Sequence, residues 1–263
     1  MAWHFITYNR ADLCKTEANI LFLGNSRIQF GVNDQLIPNS LNVGLNADNY
    51  VFSYLKLKLL KKYNPQIDTL ILGYDKATLT GYFQISDEKF HPFFWDLLDF
   101  DDWLFFLKYD TKIFMSPLSW LKILYPIKSH IGDIKFQELG IGGYNDLYRD
   151  KLPEAIQQYK KPNSFIKAEK LQEKYLRKIV SFCLSNDIQV VFLNMPSHPI
   201  TYVQSEDEYL NQYASSHYSD IPYWNYESIE LPDSCYGDLT HINYRGARTI
   251  SQELRNKLNL KLD

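Results

Sequence analysis

The feature that most constrains this chain is a recurrence: short apolar runs alternate with stretches in which apolar residues return every three or four positions. Ile20, Leu21, Phe22 and Leu23 are continuously apolar and end at Gly24, the pattern of a strand buried on both faces of a parallel sheet. Candidate strands cover residues 19–24, 41–43, 67–72, 188–193 and 222–226. Tyr50, Val51, Tyr54, Leu55, Leu57 and Leu59 predict a helix over 47–63, and Leu171, Tyr175, Leu176, Ile179 and Phe182 predict another over 168–185. Ala247, Ile250, Leu254 and Leu258 place one apolar stripe on a last helix over 243–259. Strands alternating with helices predict a doubly wound α/β fold: three layers, α/β/α, with a flavodoxin-like parallel sheet of about five strands.

With 263 residues the chain can bury a substantial core, and it reads as one domain over 1–263. Its 28 basic and 31 acidic residues give a net charge of −3 without long single-sign runs, so no basic surface points to nucleic acid. Cys14, Cys183 and Cys235 are odd in number and far apart, which predicts free thiols rather than a disulfide framework or a zinc site. The opening MAWHFITYNRADLCK has no long apolar segment after a basic start, so it reads as neither signal peptide nor membrane span. A cytoplasmic chain and one whose leader is missing both fit that reading.

Between the third and fourth strands lies a segment too long for a minimal crossover, about residues 76–165, read as an insertion. Its first part, FHPFFWDLLDFDDWLFFLKYDTKIF, is rich in aromatics but interrupted by acids, so it cannot span a bilayer. The expectation is helices over the carboxyl edge of the sheet. Phe93, Phe94, Trp95, Trp103, Phe105 and Phe106 are then either core or a wall for sugar rings. ELGIGGYND, residues 138–146, follows no strand and reads as a turn rather than a phosphate loop.

Asn25-Ser26-Arg27 stands where the first strand gives way to a helix, at the sheet edge where open α/β folds bind ligands. Asn25 or Ser26 can serve simply as a helix cap. Near the other end, CYGDLTHINYRGA puts Asp238 and His241 three residues apart, just before the last helix. A nucleophilic serine needs a base, and the base needs a carboxylate to fix its tautomer; Asp-x-x-His supplies both from one turn. NMPSHPI, residues 194–200, leaves the fourth strand at the same rim, so Asn194, Ser197 or His198 either touches substrate or forms a Pro-bounded turn. Arg27 either binds an anionic group of the substrate or anchors a loop.

The segment GNSRIQFG resembles the first block of the SGNH/GDSL hydrolase superfamily, with Asn25 where the family usually has Asp. GDLTHINYRGA resembles its last block, with Ile242 in place of Leu, and SLNVGLNAD resembles the second. The resemblance implies Ser26 as nucleophile, His241 as base and Asp238 as its orienting acid. It also implies Ser26 and Gly44 as backbone oxyanion donors. The third block normally carries an oxyanion Asn, but this chain reads Gly73-Tyr74-Asp75. Loss of such a donor costs on the order of 3 kcal/mol, about a hundredfold in rate, unless another group substitutes; Asn46 is the nearest candidate. Tyr74 and Asp75 join Arg27, Asn194 and His198 as weaker candidates for substrate contact.

This variant pattern looks most like the branch associated with O-acylation of cell-surface polysaccharides. The resemblance then implies a serine esterase acting on O-acyl esters, O-acetyl above all, of a carbohydrate or polysaccharide, with no metal or organic cofactor required. It also implies a bacterial envelope or extracellular location, with acylation partners if the enzyme is a transferase. Two readings stand beside it: an O-acetyltransferase using the same triad, and a non-catalytic carbohydrate-binding protein with a degenerate site. A flavodoxin-like nucleotide or flavin binder is a further alternative, disfavoured by the poor glycine loops.

Overall fold

The computed structural model describes residues 14–81, 97–109, 142–160 and 167–259. In chain order the main elements are β1 (Ile20–Leu23), α1 (Ser26–Gly31), β2 (Ser40–Asn42), α2 (Tyr50–Tyr63), β3 (Thr69–Gly73) and α3 (Lys76–Thr80). There follow α4 (Phe100–Tyr109), α5 (Leu152–Gln158), α6 (Lys170–Ser185), β4 (Gln189–Asn194), α7 (Gln204–His217), β5 (Tyr223–Asn225) and α8 (Tyr244–Asn259). The strands form one parallel sheet in the order β2-β1-β3-β4-β5. The order reverses at β1, and in open α/β sheets the crevice outside the strand ends at such a point is where ligands bind.

Alternation along each strand builds the three layers. Leu21 and Leu23 of β1, Leu70 and Leu72 of β3, and Val190 and Phe192 of β4 pack against α2, α6 and α7. Ile20, Phe22, Ile71, Val191 and Leu193 face the other way, onto α1 and α8. Each strand of the centre is therefore apolar on both faces, which is why its sequence shows a continuous run. The last helix seats Ala247, Ile250, Leu254 and Leu258 in that second layer.

The described parts of the insertion dock in two different places. Its α4 docks on the outer side of the helical layer: Asp102 accepts hydrogen bonds from Tyr175 Oη at 2.6 Å and Lys178 Nζ at 2.6 Å, both on α6. Lys58 of α2 donates to the Leu97 carbonyl just before it. For residues 97–109 the expectation of helices over the carboxyl edge is thus corrected. A buried carboxylate needs partners, and the lysine and tyrosine that satisfy Asp102 stand in mid-helix. Trp103 packs against the core; Phe93, Phe94 and Trp95 and the side chains of Phe105 and Phe106 lie outside the described residues. The later part, 142–160, borders the sheet edge instead. Gly143 N–H donates to the Gly44 carbonyl at 3.0 Å and Lys151 N–H to the Gly237 carbonyl at 3.0 Å. Gly142, at φ +117°, lies so close to the 43–44 loop that a Cβ there would stand 2.4 Å from the Val43 oxygen.

Cys14, Cys183 and Cys235 are free and buried. Among the described residues no helix is long and apolar enough to cross a membrane.

Candidate active site

At the end of β1, Gly24 turns the chain with φ +152°, and its bare Cα lets the ends of β1 and β3 meet: a Cβ there would lie 3.2 Å from Gly73 Cα. Asn25 then caps α1, its side-chain oxygen accepting Arg27 N–H at 2.9 Å. This places Ser26 at the first helical position, half-buried, with its own N–H lacking an acceptor among the described residues.

A tight turn before α8 presents His241. Asp238 Oδ1 accepts the backbone N–H groups of Thr240 and His241, each at 2.9 Å. Asn243 caps α8 by accepting Arg245 N–H at 2.9 Å, and its amide ties back to the Ser234 carbonyl at 2.8 Å. His241 Nδ1 lies 2.9 Å from Asp238 Oδ1 and 3.1 Å from Oδ2, while Nε2 lies 2.8 Å from Ser26 Oγ. With Nδ1–H donated to the carboxylate, Nε2 is left unprotonated to accept the serine proton. The edge of the Phe30 ring packs on the imidazole at 5.6 Å between centroids. Partial burial pushes the Asp238 carboxyl up, but hydrogen bonds from His241 and Thr240 and the cation of Arg149 outweigh it. The net effect holds Asp238 well below the usual carboxylate range.

The oxyanion side is arranged differently. Asn42, fully buried, donates its amide to the Ile28 and Val32 carbonyls at 2.9 and 2.6 Å, and its side-chain oxygen accepts Gly44 N–H at 2.8 Å. The donor expected at Gly44 is therefore already engaged, because the carbonyls of Ile28 in α1 and of Val32 just past it hold the Asn42 amide so that its oxygen captures it. Val43 and Leu45 donate to the Phe22 and Gly24 carbonyls. Asn46 is exposed. Ala47, at φ +53°, keeps an N–H without an acceptor among the described residues.

At the end of β3, Asp75 is 2 % exposed and caps α3, accepting Thr78 N–H at 2.8 Å. It also accepts Asn25 Nδ2 at 2.9 Å, so it holds the nucleophile turn rather than reaching substrate. Tyr74 is corrected as a substrate contact. It points into the core, stacks on Phe192 at 4.8 Å and donates its hydroxyl to the Leu210 carbonyl. His198 is likewise spoken for: Nδ1 accepts Ile200 N–H and Nε2 lies 3.3 Å from Asp233, leaving no ring nitrogen for Ser197.

Arg27 anchors the floor. Its guanidinium bonds Asn194 Oδ1 at 3.1 Å, the Met195 carbonyl and Glu227 Oε2 at 2.6 Å. Burial alone would lower its pKa, but Glu227 and Asp75 raise it on balance. Beside Ser26 opens a cavity of about 450 Å³, walled by Arg27, Lys76, Leu210, Glu206, Asp207 and Glu227 among others. Arg27 pairs with Glu227 and Lys76 with Glu206, while Asp207 accepts Asn225 Nδ2. Sequence reading passed over Glu206, Asp207, Glu227 and Arg149. Scattered acids and a lone arginine carry no spacing signal, and only the fold gathers them.

Sheet and side chains together define a parallel α/β protein with a Ser–His–Asp hydrogen-bonded chain at its carboxyl edge. A protein-family model matches residues 150–263, which include β4, β5 and the Asp238–His241 turn. No curated protein sequence matches the chain. Among solved structures, the chain is similar over 99 % of its length to one from Bacteroides fragilis described as an acylhydrolase, at 11 % identity, 97 % coverage of that chain and a TM-score of 0.46. It is also similar to a GDSL-like lipase from Bacteroides thetaiotaomicron, at 10 % identity, 98 % coverage of both chains and a TM-score of 0.43.

Proposed function

We propose that this protein is a serine esterase of SGNH type that cleaves O-acyl esters, O-acetyl groups of a carbohydrate foremost. The observation that carries the reading is the unbroken chain Ser26 Oγ, His241 Nε2, His241 Nδ1, Asp238 Oδ1, with links of 2.8 and 2.9 Å. Ser26 Oγ attacks the ester carbonyl as His241 takes its proton. His241 then returns the proton to the departing alcohol, and water hydrolyses the acyl-enzyme. The developing oxyanion is received by Ser26 N–H, which has no acceptor among the described residues. Gly44 N–H is held by Asn42 Oδ1, and α1, at six residues, adds little dipole. A hydroxyl-rich alcohol suits the adjacent cavity, whose walls mix Thr80, Ser197, Thr201 and Thr240 with carboxylates and the apolar Ala77, Val203 and Leu210.

The test is hydrolysis of p-nitrophenyl acetate and of an acetylated polysaccharide by the wild type and Ser26→Ala. Turnover that falls by about a thousandfold or more in the variant supports the reading. Equal inertness of both proteins on both esters overturns it. Adding sugar acceptors in the same assay separates hydrolysis from acyl transfer.

A further inference from the structure

We propose that Arg149, contributed by the insertion, is a positioning residue that clamps Asp238 and thereby sets the pH above which His241 acts as a base. The proposal rests on the esterase reading. Arg149 pairs with Asp238 Oδ2, the oxygen that no backbone N–H takes, while Oδ1 is held by its own turn and by His241.

The arginine reaches Asp238 because its backbone is laid along the 237–244 turn. Lys151 N–H donates to the Gly237 carbonyl and Tyr244 N–H to the Leu147 carbonyl, at 3.0 and 3.3 Å. Gly237 is what permits the approach, since a Cβ there would stand 3.0 Å from the Arg149 oxygen and 2.6 Å from the Leu147 side chain. Two hydrogen bonds and a close glycine contact therefore fix where the guanidinium starts, and its contact with the carboxylate follows from that path.

Asp238 Oδ2 also lies 3.1 Å from His241 Nδ1, so a cation on that oxygen offsets part of the negative charge that faces the imidazole. Two of the other cations lining the cavity are paired with carboxylates, and two further carboxylates have neutral or histidine partners. On the α1 side Arg27 pairs with Glu227, and on the α3 side Lys76 pairs with Glu206. Asp207 of α7 accepts from Asn225, and Asp233 stands by His198 behind the turn. Phe30 contributes only a ring edge, Thr240 a hydroxyl 3.0 Å from Nδ1, and Tyr159 a phenol on the cavity wall. Apart from His241 itself, Arg149 is the only cation paired with Asp238 among the described residues.

The experiment compares wild type, Arg149→Gln and Arg149→Lys by two readouts: the pH profile of kcat/KM on p-nitrophenyl acetate and the His241 imidazole titration followed by NMR, assigned with His241→Ala. Arg149→Gln is expected to move the acid limb and the NMR midpoint upward by about half to one pH unit, less than a directly contacting charge produces. Arg149→Lys, which keeps the charge but not the fork, is expected to stay near wild type. An unmoved midpoint in Arg149→Gln, or an equal shift in both variants, overturns the proposal; a purely structural arginine would lower kcat without moving the limb. If the wild type does not hydrolyse the ester, the esterase reading fails while the NMR titration still tests the clamp.

Discussion

The two halves of the candidate site are built in opposite ways. On the nucleophile side, every group points outward to the reacting centre: Ser26 to His241, His241 to Asp238, and the turn behind Asp238 locks it in place. On the oxyanion side, the groups are turned inward. Asn42 absorbs Gly44 N–H, Asp75 absorbs Asn25 Nδ2, and Tyr74 is given to the core. A Ser–His–Asp hydrogen-bonded chain and a self-satisfied Asn42–Gly44 loop can therefore coexist on one sheet edge. The presence of the first says little about the strength of the second, and a low intrinsic rate is the expected signature of the pair.

The sharpest way to break this contrast is His241→Ala. If the outward half carries the chemistry, ester hydrolysis falls by about three orders of magnitude or more while the denaturation midpoint barely changes. A comparable loss of folding stability would mean that the histidine is structural. Next comes the exchange of amide and acid between β1 and β3. Asn25→Asp sets a second carboxylate against Asp75, where Asn25 Nδ2 now lies 2.9 Å away and both residues are under 10 % exposed. The cost is expected near 2–4 kcal/mol by urea unfolding, as for other unpaired buried charges. Asn25→Asp combined with Asp75→Asn should recover most of it, and a purely additive double variant would refute the pairing.

A smaller effect tests the inward half directly. Asn42→Ala leaves the Ile28 and Val32 carbonyls without the Asn42 donors and should lower stability by about 2–3 kcal/mol in the same assay. Because it also frees Gly44 N–H, unchanged kcat in that variant would show that this amide plays no part at the oxyanion. The smallest effect concerns acid. Asp238 is held below its unfolded value, so its contribution is complete above the usual Asp pKa of about 4 and is lost as pH falls toward the lowered one. Unfolding measured from pH 5 down to pH 2 should therefore show a shallower decline for Asp238→Asn than for the wild type.

How much of this could be read in advance follows from what each feature needs. The three central strands are legible because a sheet centre buries both faces, and the apolar runs within Ile20–Leu23, Thr69–Gly73 and Gln189–Asn194 meet that demand in sequence as in structure. Helix α8 is legible from its stripe of four apolar residues. Ser26, Asp238 and His241 can be singled out because strand end, turn and chain order all restrict where such groups occur. What Gly44 does is not legible, since its amide is decided by the rotamer of Asn42, which in turn depends on the Ile28 and Val32 carbonyls. Arg149 is equally silent. Its role comes from a backbone path through the insertion, and the glycines that allow that path, Gly142 and Gly237, read in sequence as ordinary turns.

The contact between Ser26 and His241 joins positions 215 residues apart. The serine is therefore synthesised well before the histidine that completes its hydrogen-bonded chain. Any fragment ending before Asp238 lacks both His241 and its carboxylate partner. Parallel strands already make for slow, non-local folding, so recovered ester turnover after dilution from denaturant would report the last docking event rather than the first collapse. A single colorimetric trace would then time the closure of the fold from end to end.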